Sequence, residues 1–115
     1  MKIALDIGNT SVTVGLFNKN KLLNKKYFNS TSDLIDFLDN IQISNIEISI
    51  ISSVVPQLTD EYINIFTNEY NIPSIVIDHK MSGLDLCVPN PETIGSDRLC
   101  NIYALKKEYT SPSII

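Results

Sequence analysis

Ile3-Ala4-Leu5-Asp6-Ile7 and Val12-Thr13-Val14-Gly15-Leu16-Phe17 are alternating apolar runs separated only by Gly8-Asn9-Thr10-Ser11, and this commits the N-terminus to a β-hairpin. The turn carries chemistry as well as shape. Gly8 lets the backbone approach a ligand closely, and Asn9 tolerates the left-handed conformation of a tight turn. Turn amides and the hydroxyls of Thr10 and Ser11 are donors suited to phosphate oxygens. Asp6, an anion beside such a loop, makes sense chiefly with a hard cation such as Mg²⁺ between it and the phosphates. The same residues also make an ordinary Asx-type hairpin turn with a solvated Asp6.

With 115 residues, 43% of them hydrophobic and 19% charged, the chain has the length and composition of one ordinary soluble globular domain. Its net charge of -4 argues against a duplex-DNA binder, since phosphate neutralisation needs a basic face. Lys19, Lys21, Lys25 and Lys26 do cluster, but they flank a turn and a short strand, where they read as protection for a sheet edge. No nucleic-acid partner is expected. Only Ile3, Ala4 and Leu5 separate Lys2 from Asp6, which is no signal peptide, and no apolar stretch approaches the ~20 residues of a membrane span. The expectation is a cytoplasmic protein with no membrane partner. Cys87, Cys100 and the lone His79 have neither zinc-site spacing nor the context of a structural disulfide. Both cysteines read as small hydrophobes, and His79 as a surface side chain.

Along the chain the expected order is β-β-β-α-β-α-β, then a loop and a helix. Strands are expected at about Lys2 to Ile7, Ser11 to Asn18 and Lys21 to Phe28, with Asn18-Lys19-Asn20 closing a second hairpin. Ser30-Thr31-Ser32-Asp33 starts a helix with hydroxyl caps, and Leu34, Ile35, Phe37, Leu38 and Ile41 follow at helical spacing. Ile46 to Ser52 turns apolar on both faces, as an interior strand does. Ser52-Ser53-Val54-Val55-Pro56 leads into a second helix, one side of which is traced by Leu58, Tyr62, Ile65, Phe66 and Glu69. Pro73 to Asp78 is another short strand, and a third helix runs from about Gly95 to Glu108. Pro112-Ser113-Ile114-Ile115 opens something strand-like as the sequence stops. The fold class expected is α/β, a mixed sheet with flanking helices.

A second constellation lies in Pro89-Asn90-Pro91-Glu92-Thr93-Ile94-Gly95-Ser96-Asp97-Arg98, which holds the one arginine of the chain. Arginine beside an aspartate at a helix start is able to bind a substrate carboxylate bidentately while the aspartate moves a proton. The structural alternative is that Ser96 or Asp97 caps the helix and Arg98 makes a surface salt bridge.

In order, these segments are Asp6-Ile7-Gly8-Asn9-Thr10, Ser53-Val54-Val55-Pro56, and Asn90-Pro91 followed by Gly95-Ser96-Asp97-Arg98. Together they resemble the type III pantothenate kinases of the actin/sugar-kinase/heat-shock ATPase superfamily. The resemblance covers the whole chain but about the first half of a typical family member. It implies a ribonuclease-H-like (actin-like ATPase) domain that phosphorylates pantothenate to 4'-phosphopantothenate with ATP, the first step of coenzyme A biosynthesis. By the resemblance, Asp6, Ile7, Gly8, Asn9, Thr10, Ser11, Val12 and Thr13 line the ATP phosphates, with Asp6 beside Mg²⁺. Gly95, Ser96, Asp97, Arg98 and Val88 face pantothenate, and Asp97 is the general base, kept ionised by the helix N-terminus. A monovalent cation (K⁺ or NH₄⁺) and a homodimer complete what the family implies. Val88 departs from the pattern, because family members usually carry a tyrosine there.

Residues 1–110 are accordingly expected to form an N-terminal ribonuclease-H-like domain, with 111–115 the start of a truncated second one. Two functions follow from the same residues. One is the N-terminal half of a kinase; the other is a non-catalytic regulatory or nucleotide-binding module of the same fold. Asp6, Asp97 and Arg98 together favour the first. Val88 and the missing second half favour the second.

Overall fold

Strand β1 (Lys2–Ile7) points Ile3, Leu5 and Ile7 to one face, none more than 2% exposed, and Lys2, Ala4 and Asp6 to the other. Strand β2 (Val12–Asn18) pairs antiparallel with it and sets Leu16, Val14 and Val12 opposite Ile3, Leu5 and Ile7. The two apolar sets therefore meet on one face. The structure, a computed structural model, describes residues 1–78, 80 and 90–108. The expectations for His79, Cys87, Val88 and the strand-like Pro112-Ser113-Ile114-Ile115 lie outside the described residues.

The expected second hairpin is present. Lys19 and Asn20 connect β2 to β3 (Lys21–Phe28), and Lys19 takes a left-handed φ of 54°. Pairing shifts register between Leu16 and Phe17, which lie opposite Asn24 and Leu22. Strand β3 is the sheet edge and is exposed from Lys21 to Tyr27, so its lysines sit where they discourage edge-to-edge pairing. On the other side of β1, strands β4 (Ile48–Ser53) and β5 (Ser74–Val76) add in parallel, giving the order β3-β2-β1-β4-β5. Strand β4 begins after the expected Ile46 and runs on to Ser53, while β5 covers only Ser74–Val76 of the expected Pro73 to Asp78. Ile46 is buried but precedes β4, at the exit of a short 3₁₀ turn, Ile43–Asn45.

Helices cover the Ile3/Leu5/Ile7 face. Helix α1 (Thr31–Asp39) starts as expected: the Ser30 hydroxyl accepts from the Asp33 amide at 3.4 Å, and the Asp33 carboxylate accepts from the Asn29 amide at 3.1 Å. Leu34 and Leu38 are fully buried, and Ile35, Phe37 and Ile41 pack at the margin. Helix α2 (Pro56–Asn64) begins on a proline, which lacks only an amide that would be unpaired there anyway.

The last turn of α2 departs from expectation. It widens into a π-turn, Ile65–Glu69, in which Ile65 and Phe66 are buried but Glu69 is exposed. An α-helix advances roughly 100° per residue and would carry Glu69 inward with Leu58 and Tyr62. The wider turn advances less, so Tyr70 packs against the core instead. Asn71, with φ of 54°, then ends the helix and returns the Ile72 amide to the Phe66 carbonyl at 2.8 Å.

Among the described residues, the opposite face of the sheet is thinly covered. Helix α3 (Ser96–Glu108) lies against β4, and Leu99 on it is 1% exposed. Leu22 and Ile75, on strands to either side, remain 47% and 37% exposed.

Two stability predictions follow from this packing. Phe66→Ala removes a ring that is 0% exposed and should cost about 3–5 kcal/mol in urea unfolding, against well under half of that for Ile75→Ala. The second concerns Tyr70, whose hydroxyl donates to Asp39 Oδ1 at 2.8 Å. Burial, then that bond and the charges of Asp39, Glu69 and Asp36, push the phenol up from 10.0 to about 12. A raised folded pKa stabilises the fold in full below pH 10, and the contribution is lost as pH rises through 12. Tyr70→Phe should therefore lower the melting temperature at neutral pH and flatten its fall between pH 10 and 12.

Candidate functional site

Asp6, Thr13 and Ser52 stand abreast on three adjacent strands, Asp6 in register with Thr13 on β2 and with Ser52 on β4. Alternation puts all three on the face away from the hydrophobic core. Helix α3 supplies the facing wall with Asp97, Cys100 and Asn101, enclosing a recess of about 530 Å³ floored by Ala4, Gly15 and Ile50. The two carboxylates singled out in the sequence thus share one cavity, and both are exposed.

Hydroxyls fix the start of α3. Ser96, 7% exposed, donates to the Ser53 carbonyl at 2.9 Å and accepts from the Ser53 amide at 2.8 Å. The Ser52 hydroxyl also donates to it, at 3.1 Å. Ser53 is held in turn by a local bend in which its own hydroxyl accepts from the Val55 amide at 3.1 Å. The segment Ser53-Val54-Val55-Pro56 is therefore the seat on which α3 begins.

Cys100 lines the same recess as the two carboxylates. Burial pushes its thiol up, the hydrogen bond with Ser52 opposes this, and the charges of Asp6 and Asp97 add to the rise. The net rise lowers the thiolate fraction of Cys100. Ser52, Cys100 and Asn101 were missed in the sequence. The signal for Ser52 was its period-two spacing from Ile50 on a strand neighbouring Asp6; nothing marked the other two.

The remaining expected site residues are dispersed. Ile7 and Val12 belong to the core, at 0% and 4% exposure. Gly8, Asn9, Thr10 and Ser11 line a separate recess of about 300 Å³ with Asn29, Ser30, Thr31 and Glu61. Asn9 does not use the left-handed conformation it tolerates: the positive-φ residues other than glycine among those described are Lys19 and Asn71. The reason is length. Four residues reverse the chain, closed by the Gly8 amide on the Ser11 carbonyl at 3.1 Å, so no single residue need turn sharply. Gly95 and Ser96 line a third recess, of about 560 Å³, with Val54, Asp78, Glu92 and Thr93. Arg98 is exposed, and its amide donates to Asp97 Oδ1 at 2.8 Å. Val88 lies outside the described residues.

Among the described residues no three His, Cys, Asp or Glu side chains converge on a metal position, and no helix is long and apolar enough to cross a membrane. Oxygen donors in the first recess, from Asp6, Thr13 and Ser52, suit a hard cation bound mainly through phosphates and water.

Comparison with known proteins bears on this geometry. The family model described as type III pantothenate kinase matches residues 2–115. A type III pantothenate kinase of Listeria monocytogenes serotype 4a (strain HCC23) is 37% identical over 129 aligned positions, covering 100% of this chain and 49% of the relative. Those of Listeria welshimeri and Listeria innocua are each 36% identical with the same coverage. The chain spans about half the length of the curated relatives it matches.

Gly95 offers a test of how tightly the first recess is set. A β-carbon there would come within 2.6 Å of Asp97 Oδ1 and 3.6 Å of Val54 Cγ1. The carboxylate is the flexible end of a side chain, so it moves and the fold does not. Gly95→Ala should change stability by no more than about 0.5 kcal/mol, yet shift the Arg98 amide resonance as its bond to Asp97 is lost. An unshifted Arg98 amide would show that Asp97 tolerates the added carbon in place.

Proposed function

Because the chain belongs to the type III pantothenate kinase family, we propose that it supplies the hairpin loop, the acidic recess and the general base for ATP-dependent phosphorylation of pantothenate to 4'-phosphopantothenate. That reaction opens coenzyme A biosynthesis in a soluble, cytoplasmic setting. The observation that carries the reading is the shared recess of Asp6 and Asp97. Phosphoryl transfer asks a protein chiefly for positioning, charge neutralisation and a carboxylate to take the hydroxyl proton. Two carboxylates across one cavity, on a rigid central strand and a helix start, meet that demand.

In this reading Asp97 takes the proton of the pantothenate hydroxyl as that oxygen attacks phosphorus. Arg98, one residue on, reaches the pantothenate carboxylate, and the backbone of Gly95 and Ser96 borders the substrate, together with Val88. Ser96 contributes backbone alone, since its hydroxyl is fully engaged within the fold. Gly8, Asn9, Thr10, Ser11 and Thr13 donate to ATP phosphate oxygens. Asp6 would hold Mg²⁺, which when bound neutralises phosphate charge. Its oxygen neighbours fit that ion, because Mg²⁺ commonly takes one or two carboxylates and completes its shell with phosphate and water. The monovalent cation (K⁺ or NH₄⁺) and the homodimer belong to the same proposal.

The sheet supports the finer fold as well. A five-stranded order β3-β2-β1-β4-β5, in which only β2 opposes the rest, suits a ribonuclease-H-like domain of the actin-like ATPase kind.

Asp97→Asn, assayed by ADP release in a family-length protein carrying these residues, should lower kcat about 10²- to 10⁴-fold with nucleotide affinity retained. Near-normal turnover would remove Asp97 from the chemistry. Asp6→Asn should weaken Mg²⁺-dependent nucleotide binding in titration calorimetry without lowering the melting temperature, because Asp6 is exposed. Normal binding with early melting would make Asp6 structural. Nucleotide binding without any turnover in the unsubstituted protein would favour the non-catalytic module.

A further inference from the structure

A serine hydroxyl has one proton to donate and room to accept two. All three capacities of Ser96 are used inside the fold, by the Ser53 carbonyl, the Ser53 amide and the Ser52 hydroxyl. Ser52 lines the same recess as Cys100, one turn further along α3. A chain of polar contacts therefore runs from the helix through Ser52 and Ser96 into the backbone at the end of β4. That backbone is fastened to β1, where the Val54 amide donates to the Ile7 carbonyl at 3.1 Å, one residue from Asp6.

We infer that Ser96 is a positioning residue, whose hydroxyl sets Asp97 at a fixed distance across the recess from Asp6. The inference rests on the reading of Asp97 as the general base. Leu99 alone on α3 is fully buried among the described residues, so apolar packing fixes the depth of the helix more than its rotation. Rotation about Leu99 would swing Asp97 along the recess. The paired contacts of one hydroxyl with both the amide and the carbonyl of Ser53 resist that rotation, because a turn of the helix breaks both at once. Alanine has neither donor nor acceptor and would leave the Ser53 amide and carbonyl to water or unpaired. A misplacement of about 1 Å in a reacting group is enough to slow chemistry on the order of 10²-fold.

The test compares Ser96→Ala, Ser96→Thr and Ser52→Ala in a family-length protein, reading steady-state kinetics and backbone amide exchange together. For Ser96→Ala the expected result is kcat lower by about 10- to 100-fold with KM for both substrates unchanged. Exchange of the Leu99 amide, which donates to the Gly95 carbonyl in the first turn of α3, should quicken about tenfold while amides of β1 keep their rates. Ser96→Thr retains the hydroxyl and should recover most of kcat. Ser52→Ala removes one of the three contacts and should give a smaller loss of the same kind. If Ser96→Ala does not fold, that graded loss in Ser52→Ala decides the matter, and its absence overturns the inference. Unchanged kcat in Ser96→Ala also overturns it. So does a higher KM for pantothenate at unchanged kcat, which would make Ser96 a substrate contact. Full turnover in the Asp97→Asn control would instead sink the general-base reading, and the Leu99 exchange would still report whether Ser96 holds the helix start.

Discussion

The central strand β1 is asked to serve two environments at once, and the rest of the structure is arranged around that demand. Its odd-numbered residues Ile3, Leu5 and Ile7 anchor the hydrophobic core, while Ala4 and Asp6 open onto the recess. A strand is the element that permits this, since consecutive side chains point to opposite faces. Both neighbours repeat the division in register. Val14 and Ile51 flank Leu5 on the core side, and Thr13 and Ser52 flank Asp6 on the other.

The two faces are also held together by different forces. Fully buried Leu34, Leu38, Tyr62 and Phe66 press on the core face, where stabilisation grows with apolar area removed from water. Among the described residues, the attachment of α3 on the recess face is largely a matter of three serines and one leucine. Directional bonds specify an orientation more sharply than apolar contact does, and orientation is what a carboxylate at a helix start requires. Rigid core on one side and geometric attachment on the other divide stability from placement.

Much of this was legible beforehand, for reasons that differ by element. The hairpins, the Ser30 cap and the interior strand Ile48–Ser53 follow from local periodicity and local chemistry, so the sequence contains them directly. The stripe through Leu58, Tyr62, Ile65 and Phe66 was legible until the π-turn, which depends on how the helix end must meet Asn71 and β5. Asp6 and Asp97 were recognised by type and order, but their sharing one cavity is a product of topology. That Gly8 to Ser11 line a recess with Asn29, Ser30, Thr31 and Glu61 depends on where the start of α1 and α2 meet the loop, which no local pattern shows. Cys100 and Asn101 had no signal, because their position depends on how α3 is rotated on the sheet.

The wide turn at Ile65–Glu69 has an implication for what this fold is able to lose or gain over time. A π-turn has the geometry of an α-helix into which one residue has been inserted. Removing one residue there would let the helix close regularly, but everything beyond Phe66 would be rephased. Tyr70 would leave the core margin, Asn71 would no longer stand at the left-handed corner, and Ser74 would slip from its place opposite Ser49 on β4. Because a one-residue slip turns each side chain of a strand to the other face, β5 would present the wrong set to both sides of the sheet. At this helix end, then, residue identity is open to drift while residue number is not. Related chains that keep the same sheet should vary in spelling here far more readily than in length.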